Sequence, residues 1–216
     1  MNRKIVNTVI GCVAFIALVL GLTANRILSP ALMTHEQLND SGLFVYEVPR
    51  RFNDFTLTDQ YGEAFNLERL RGRWSVLFFG YTFCPDICPI TMATLRQFEQ
   101  LVAAEDSKAA ESIQVAMISV DPERDTLEKL GEYVGFFGDD YIGATGEYID
   151  IFNLSRQLNV ALGYQPQGDG RYLVYHSGQV VLINPAGHFH GFFKVPQNPE
   201  DMALTFRSVY KAWEQR

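Results

Sequence analysis

A continuous apolar run from Trp74 to Tyr81, WSVLFFGY, constrains the fold of this chain more than any other feature. A short run without alternation is typical of a central strand that is covered on both faces. Apolar residues recur at helical spacing after Pro89, so a helix that begins at Pro89 is predicted to follow the strand. Cys84 and Cys88 therefore lie in the connection, where the carboxyl end of a strand meets the amino terminus of a helix.

The pattern after this connection alternates strands with helices. The sequence predicts strands at 113–120, 173–176 and 180–183, a returning hairpin strand at 189–195, and helices at 126–136, 147–158 and 199–213. This order is typical of an α/β domain with a central mixed sheet flanked by helices, and it suggests a thioredoxin-like sheet.

A second apolar segment lies at the start of the chain. Residues 5–24 are about twenty in number and carry no charge, which is enough for a helix that crosses the hydrocarbon core of a membrane. Arg3 and Lys4 precede the segment and favour a cytoplasmic N-terminus at 1–4. We therefore expect a single transmembrane anchor at 5–24, a stalk at 25–50 and a globular domain at 51–216. A cleaved signal peptide is the alternative for the apolar segment.

The charge of the remaining chain argues against nucleic-acid binding. Positions 1–26 hold three of the 18 basic residues and none of the 25 acidic ones, so the rest carries 15 positive and 25 negative charges, a net −10. A general nucleic-acid binder needs a net positive charge. With Cys12 inside the apolar segment, Cys84 and Cys88 are the only thiols of the domain expected outside the cytoplasm, where disulfides persist.

The spacing of Cys84 and Cys88 leaves several chemistries open. Side chains four positions apart in a helical turn have Cβ atoms about 5–6 Å apart, a separation over which two thiolates can share a metal ion. A disulfide needs Cβ atoms about 3.5–4.5 Å apart, so it requires the turn to adjust. Two structural cysteines are the third interpretation. The pattern favours a soft metal, and an added imidazole would make a three-coordinate copper site.

Three segments in the same order resemble the Sco (SenC) family of membrane-anchored copper proteins. They are GYTFCPDICP at 80–89, ISVDPERDTLEKLGEYV at 118–134 and YLVYHSGQVVLINPAGHF at 172–189. The resemblance implies a thioredoxin-like fold and a copper site made by Cys84, Cys88 and His176. It also implies a role in assembling the binuclear copper A centre of cytochrome c oxidase, by delivering copper as Cu(I) or Cu(II) or by reducing that centre's cysteines.

The same resemblance directs attention to residues around the ligands. Relatives usually carry an acidic residue immediately before the histidine, where this chain has Tyr175; a phenol orients an imidazole less strongly than a carboxylate does. We expect Asp121, Tyr175 and Asp86 either to contact the metal ligands from a second shell around the copper site or to contact a partner protein. For Asp121 the simpler hypothesis is a turn that caps the next helix.

Two function classes compete. The first is a copper chaperone whose partner is the copper A-bearing subunit of cytochrome c oxidase, or another periplasmic copper or thiol protein, at a bacterial-type inner membrane. The second is a thiol–disulfide oxidoreductase in which Cys84 attacks and Cys88 resolves, or a redox or copper sensor. His188 and His190 could form a further metal pair if they share one strand face, although solvent-facing histidines without a function are the simpler interpretation.

Overall fold

The structure, a computed structural model, describes residues 3–28, 32–168 and 171–216. The chain divides into two compact units, Met1–Leu32 and Met33–Arg216. The first unit contains helix α1 (Arg3–Leu28). Among the described residues, no helix combines the length and the apolar character needed to cross a membrane. The predicted anchor at 5–24 includes positions whose side chains lie outside the described residues, and it stays a prediction.

The second unit alternates short strands with helices. Its helices are α2 (His35–Asp40), α3 (Ile87–Glu105), α4 (Ser107–Glu111), α5 (Leu127–Phe137), α6 (Tyr148–Gln157) and α7 (Pro199–Glu214), and a 3-10 turn spans Glu68–Leu70. Its strands are β1 (Leu43–Arg50), β2 (Thr56–Asp59), β3 (Ala64–Asn66), β4 (Trp74–Gly80), β5 (Ile113–Ser119), β6 (Ile142–Thr145), β7 (Leu162–Gly168), β8 (Arg171–His176), β9 (Val180–Ile183) and β10 (Phe189–Phe193).

One sheet of eight described strands organises this unit, in the order β1-β10-β9-β4-β5-β6-β2-β3. The β4–β5 and β5–β6 pairs are parallel, and the other neighbouring pairs are antiparallel. The predicted α/β fold with a central mixed sheet is thus confirmed.

Strands β4 and β5 form the centre of the core. All their residues are buried, as their continuous apolar sequences predict. Their parallel register runs from Trp74 opposite Ile113 to Gly80 opposite Ser119, so both strands end at the same edge of the sheet. The loops that leave this edge lead to Cys84 on one side and to Asp121 on the other.

Residues 33–50 of the segment predicted as a stalk belong to the second compact unit, which therefore begins before the boundary predicted at residue 51. Strand β1 is an edge strand of the main sheet, pairing Leu43 with Phe193 of β10 in antiparallel register. Leu43 is fully buried, and Leu38 of α2 is nearly so. Burial of these side chains fixes the segment against the sheet, and the compact unit begins at Met33.

Strand β8, which ends at His176, belongs to a hairpin that the sequence pattern did not predict. It pairs with β7 in a separate two-stranded sheet, with Leu162 opposite His176. Strand β9 follows after three residues and enters the main sheet between β10 and β4. The end of β8 is therefore held next to the carboxyl end of β4.

Candidate metal centre

The two cysteines lie where β4 passes into α3. The backbone N–H of Cys84 donates to the carbonyl of Tyr81 at 3.2 Å, which closes a tight turn. Helix α3 begins at Ile87, two residues before the predicted start, and Cys88 lies in its first turn. The N–H of Cys88 donates to Sγ of Cys84 at 3.4 Å. The sulfur of Cys84 therefore caps the positive end of the helix, and both thiols are free.

His176 reaches the cysteines from the end of the β7–β8 hairpin. Its Nε2 lies 3.7 Å from Sγ of Cys88. Its Nδ1 lies 3.3 Å from the carbonyl oxygen of Ser177. Because a carbonyl only accepts hydrogen bonds, Nδ1 donates to Ser177, and Nε2 is the ring nitrogen that faces the sulfurs. Nε2 donates to the thiolate of Cys84 when it carries a hydrogen, and it can bind a metal once that hydrogen is displaced. Metal-binding histidines are usually held in this way, with the second ring nitrogen donating to a backbone carbonyl.

The structure brings the three predicted donors together. The sulfurs of Cys84 and Cys88 and a ring nitrogen of His176 all lie within 4.8 Å of one another. Among the residues that the structure describes, no other group of three or more His, Cys, Asp or Glu side chains has this geometry. Two thiolates and one imidazole form a soft donor set that suits a copper ion.

The two thiols differ in acidity. Burial raises the pKa of Cys84, but hydrogen bonds from His176, Cys88 and the backbone N–H of Asp86 outweigh it and lower the pKa to about 6. Burial raises the pKa of Cys88, and the neighbouring sulfur of Cys84 raises it further. Cys84 is thus a thiolate at neutral pH, while Cys88 keeps its proton until a metal or an oxidant displaces it.

Aromatic rings surround the imidazole. The ring of Phe78 lies 5.7 Å and that of Tyr81 6.2 Å from the ring of His176, both edge to face. Burial and the neighbouring charge of Cys84 raise the pKa of Tyr81 to about 12, so its phenol stays protonated. These contacts restrict rotation of His176 and keep Nε2 directed at the thiols.

Position 80 requires a glycine because Phe78 of the core and Cys88 of the site both pack closely against it. A Cβ atom at this position would lie 2.6 Å from Cε1 of Phe78 and 3.2 Å from Sγ of Cys88. The first distance is well inside van der Waals contact, so any larger residue would displace the ring or the sulfur.

Asp125 fixes the loop that precedes Cys84, and sequence reasoning did not identify it. Its carboxylate accepts hydrogen bonds from the hydroxyl of Thr82 at 2.6 Å, the N–H of Thr82 at 3.1 Å and the hydroxyl of Ser119 at 2.6 Å. The residue is 2% exposed. The segment DPERDT at 121–126 contains both Asp121 and Asp125, and only contacts with Thr82 and Ser119, which are distant in the sequence or buried in the fold, distinguish the second aspartate.

Asp121 has a structural role at the same edge. It is fully buried, pairs with Arg124, and accepts a hydrogen bond from the phenol of Tyr172 at 2.6 Å. The prediction that Asp121 lies next to the metal ligands or contacts a partner stays a prediction; the surrounding side chains separate its carboxylate from solvent. Asp121 ties the loop after β5 to strand β8, which carries His176.

The surface around the donors is apolar. The residue before each donor is exposed and carries a large side chain: Phe83 is 51% exposed, Ile87 39% and Tyr175 67%. A Cβ atom on Gly178 would lie 3.1 Å from Ile87 and 3.2 Å from Val195, so this surface continues onto Val195, which is also exposed. We call these four residues, Phe83, Ile87, Tyr175 and Val195, the apolar rim. Asp86 is exposed beside it.

His188 and His190 do not form the metal pair that was considered. His190 is 4% exposed and lies against Trp74, with ring centroids 5.0 Å apart. The amide oxygen of Asn184 accepts from the backbone N–H of Ala186 and His188, so its NH₂ group faces Nδ1 of His190 at 3.3 Å. Nδ1 is then an acceptor and Nε2 carries the hydrogen, which leaves no ring nitrogen available for a metal.

The fold and the site define a class of protein: a thioredoxin-like domain that presents two cysteines and one histidine at the edge of its sheet. The SCO1/SenC family model matches residues 47–211. The chain therefore belongs to the SCO1/SenC family.

Several relatives support this assignment. A SCO2-like protein of Rickettsia conorii is 32% identical over 208 residues, a match that covers 95% of this chain and 99% of the relative. The crystal structure of Arabidopsis thaliana ScoI with copper bound has a TM-score of 0.68 and 29% identity, covering 74% of this chain and 98% of that one. Yeast Sco1 with copper bound has a TM-score of 0.66 and 27% identity, covering 78% and 91%.

Proposed function

We propose that this chain binds one copper ion through Cys84, Cys88 and His176 and delivers it to an acceptor protein. The observation that carries the proposal is the convergence of three donors within 4.8 Å, with Nδ1 of the imidazole held by the carbonyl of Ser177 and Nε2 facing the sulfurs. Solved structures of the family with copper bound support the choice of metal.

Copper is the cargo in this function, so the site has to bind it and also release it. Three donors leave an open position at the metal, where a ligand of the acceptor can enter before one of the chain's own ligands leaves. His176 is half-buried and Cys84 is 9% exposed, whereas Cys88 is fully buried. Exchange therefore begins at Cys84 or at His176, and Cys88 leaves last.

The acceptor in this proposal is the copper A-bearing subunit of cytochrome c oxidase or another periplasmic copper or thiol protein. A protein ligand that reaches the donors has to cover Phe83, Ile87 and Tyr175, which are exposed. An apolar surface of this kind at the mouth of a site is typical of protein docking. Family membership supports a role in the assembly of cytochrome c oxidase.

Metal analysis tests the proposal directly. The full chain, reduced and kept without air, is incubated with copper and zinc together, and bound metal is measured after desalting. We expect one copper per chain, and loss of tight binding in His176→Ala. His188→Ala is the matched control, because His188 lies outside the donor set, and it should bind copper normally. Unchanged copper affinity in His176→Ala would refute the ligand assignment.

A second candidate function is reduction of partner disulfides. The observation that favours it is the split acidity of the two thiols, since the lowered pKa of Cys84 makes it a nucleophile and the buried Cys88 is placed to resolve a mixed disulfide. Reduction of insulin by the metal-free chain measures this activity. Turnover near that of a thioredoxin would place the redox function first.

The proposal also includes a location. The uncharged segment 5–24 would anchor the chain in a bacterial-type inner membrane, with 1–4 in the cytoplasm and the folded unit in the periplasm. Ile10, Phe15 and Leu18 of this segment are each more than half exposed. Cell fractionation with alkaline extraction tests it: release of the chain into the soluble fraction would refute the anchor.

A further inference from the structure

A cavity of about 430 Å³ lies against the β7–β8 hairpin, the hairpin that carries His176, and is lined by none of the three metal donors. It is lined by Pro122 and Glu123 from the loop after β5, by Tyr148 of α6, and by Tyr164 and Tyr172 of the β7–β8 hairpin. We call it the tyrosine groove.

The three tyrosine rings form the walls of the groove at steep angles to one another. The ring centroids of Tyr148 and Tyr164 are 5.1 Å apart at 66°, and those of Tyr164 and Tyr172 are 5.5 Å apart at 62°. The phenol of Tyr164 donates to the carbonyl of Val120 at 2.6 Å, and that of Tyr172 donates to Asp121 at 2.6 Å. These bonds hold two of the rings in place, so the groove is preformed.

The charge of the groove is negative. The carboxylate of Glu123 lies 3.3 Å from the phenol oxygen of Tyr172. An adjoining cavity of about 480 Å³ shares Pro122, Glu123 and Tyr148, and adds Glu147. Among the described residues, neither cavity is lined by a lysine or an arginine. Tyrosine faces together with a carboxylate attract organic cations through the ring quadrupole and the full negative charge.

One cation of the chain already lies against a tyrosine ring of this groove. The guanidinium carbon of Arg124 lies 4.3 Å from the ring centroid of Tyr172, which is direct cation–π distance. Arg124 is committed to its ion pair with Asp121 and does not line the groove. A tyrosine of this cluster therefore accepts a guanidinium within the structure itself, and the groove offers further ring surface next to a carboxylate.

We propose that the tyrosine groove binds the guanidinium or ammonium group of a basic side chain on the copper acceptor. The inference rests on the proposed function for the identity of the partner, and on the groove itself for the chemistry. Tyr172 precedes His176 by four positions in the same strand, a separation of about 13 Å at about 3.3 Å per residue. A basic residue held there would orient the acceptor so that its own ligand meets the copper site.

The binding of small cations tests the groove without the acceptor. The reduced full chain, with ¹³C-labelled tyrosine rings, is titrated with N-acetyl-arginine amide and with N-acetyl-citrulline amide, a neutral side chain of nearly the same shape. Ring signals of Tyr148, Tyr164 and Tyr172 report binding. We expect the arginine compound to bind at least threefold more tightly than the citrulline compound, and the difference to shrink at high salt. Equal binding of the two compounds would overturn the proposal.

Variants separate ring, charge and structural effects. Glu123→Gln and Tyr148→Leu should each weaken binding of the arginine compound at least twofold, while Tyr148→Phe, which keeps the ring, should bind it normally. Tyr61→Leu is the matched control, because Tyr61 is an exposed tyrosine outside the groove. Unaltered binding in both Glu123→Gln and Tyr148→Leu would overturn the proposal.

Copper stoichiometry measured on the same samples separates this inference from the proposed function. Tyr148→Leu should retain one copper per chain. If the unaltered chain binds the arginine compound selectively but no copper, the function fails and the groove stands. If it binds copper and does not distinguish the two compounds, the groove fails and the function stands.

Discussion

The two thiols of the site should differ sharply in reactivity. Hydrogen bonds to Cys84 lower its pKa to about 6, so it is deprotonated at neutral pH, whereas burial raises the pKa of Cys88. We expect iodoacetamide to alkylate Cys84 with a rate that rises through about pH 6 and levels above it. Cys88 should stay unmodified over the same range. Mass spectrometry of the reduced, metal-free chain at a series of pH values measures both rates.

His176→Ala is the informative variant for this experiment. Removing the imidazole removes a hydrogen bond that favours the thiolate of Cys84, so the midpoint of its alkylation should move to higher pH. His188→Ala should leave the midpoint unchanged. Equal rates for Cys84 and Cys88 in the unaltered chain would contradict the assignment of distinct roles to the two thiols.

Gly80 allows a test of how closely the core approaches the metal centre. Gly80→Ala would place a methyl group 2.6 Å from the ring of Phe78 and 3.2 Å from the sulfur of Cys88. We expect a loss of about 1–3 kcal/mol in the free energy of unfolding, as for other overpacked cores, and weaker copper binding. Urea unfolding and competition with a copper chelator measure the two effects.

Gly135→Ala is the matched control for this change. Gly135 is exposed in α5, and a Cβ atom there meets nothing within 4 Å. Alanine in a helix interior should stabilise the chain by roughly 0.5–1 kcal/mol and leave copper affinity unchanged. If Gly80→Ala behaved like Gly135→Ala, the close approach inferred at the site would be wrong.

At the scale of the elements, strand β1 should be essential for a stable unit. A chain that begins at residue 51 loses the pairing of β1 with β10 and the burial of Leu38 and Leu43. We expect residues 51–216 to unfold at a lower urea concentration than residues 33–216. The uncovered edge of β10 should also make the shorter chain self-associate, as seen by size-exclusion chromatography. Equal urea midpoints and equal elution volumes for the two chains would show that the unit is stable without β1.

The loop that carries Cys84 is held in place by Asp125, which lies in the loop after strand β5. Asp125→Ala removes the acceptor for Thr82 and Ser119 and leaves their donors unpaired in a buried place. We expect a loss of about 2–3 kcal/mol in unfolding free energy and faster copper release. Asp139→Ala, at an exposed aspartate, is the control. Unchanged release of copper in Asp125→Ala would show that the turn at Cys84 holds its shape unaided.

Sequence reasoning succeeded for elements that local pattern determines. Strands β4 and β5 are continuous apolar runs, and α5 at Leu127–Phe137 lies within one residue of the helix predicted at 126–136. It failed where tertiary contacts decide. Strand β1 contains Pro49 and is held by its pairing with β10, which is distant in sequence. Strand β7 contains Pro166 and forms only against β8.

The candidate site shows the same division. The C-x-x-x-C spacing after a buried strand was enough to locate Cys84 and Cys88 at a helix start. The third donor, His176, lies 88 residues beyond Cys88, and no local pattern connects the two. It was identified only through the resemblance to a family. The roles of Asp125 and Gly80 depend on contacts between segments, which a single sequence does not display.

At the scale of the whole molecule, oxidation and copper binding should exclude each other. A disulfide requires the sulfurs of Cys84 and Cys88 to approach to about 2.05 Å, and it consumes both thiolates that would bind the metal. Oxidised glutathione supplies the reaction: the two thiols give up two electrons and two protons, and two molecules of reduced glutathione form. Copper would then be left with His176 alone, which cannot hold it against a chelator.

We therefore expect the copper-loaded chain to lose its metal in step with disulfide formation under oxidised glutathione, and to bind copper again after reduction. Thiol counting and metal analysis at each time point measure the two processes. Cys12→Ser is the control, since Cys12 lies outside the donor set and its replacement should leave the loss of copper unchanged. A chain that kept its copper after full oxidation of Cys84 and Cys88 would show that the ion is held elsewhere. In the periplasm proposed for this unit, the supply of reductant would then decide how much of the protein can carry copper.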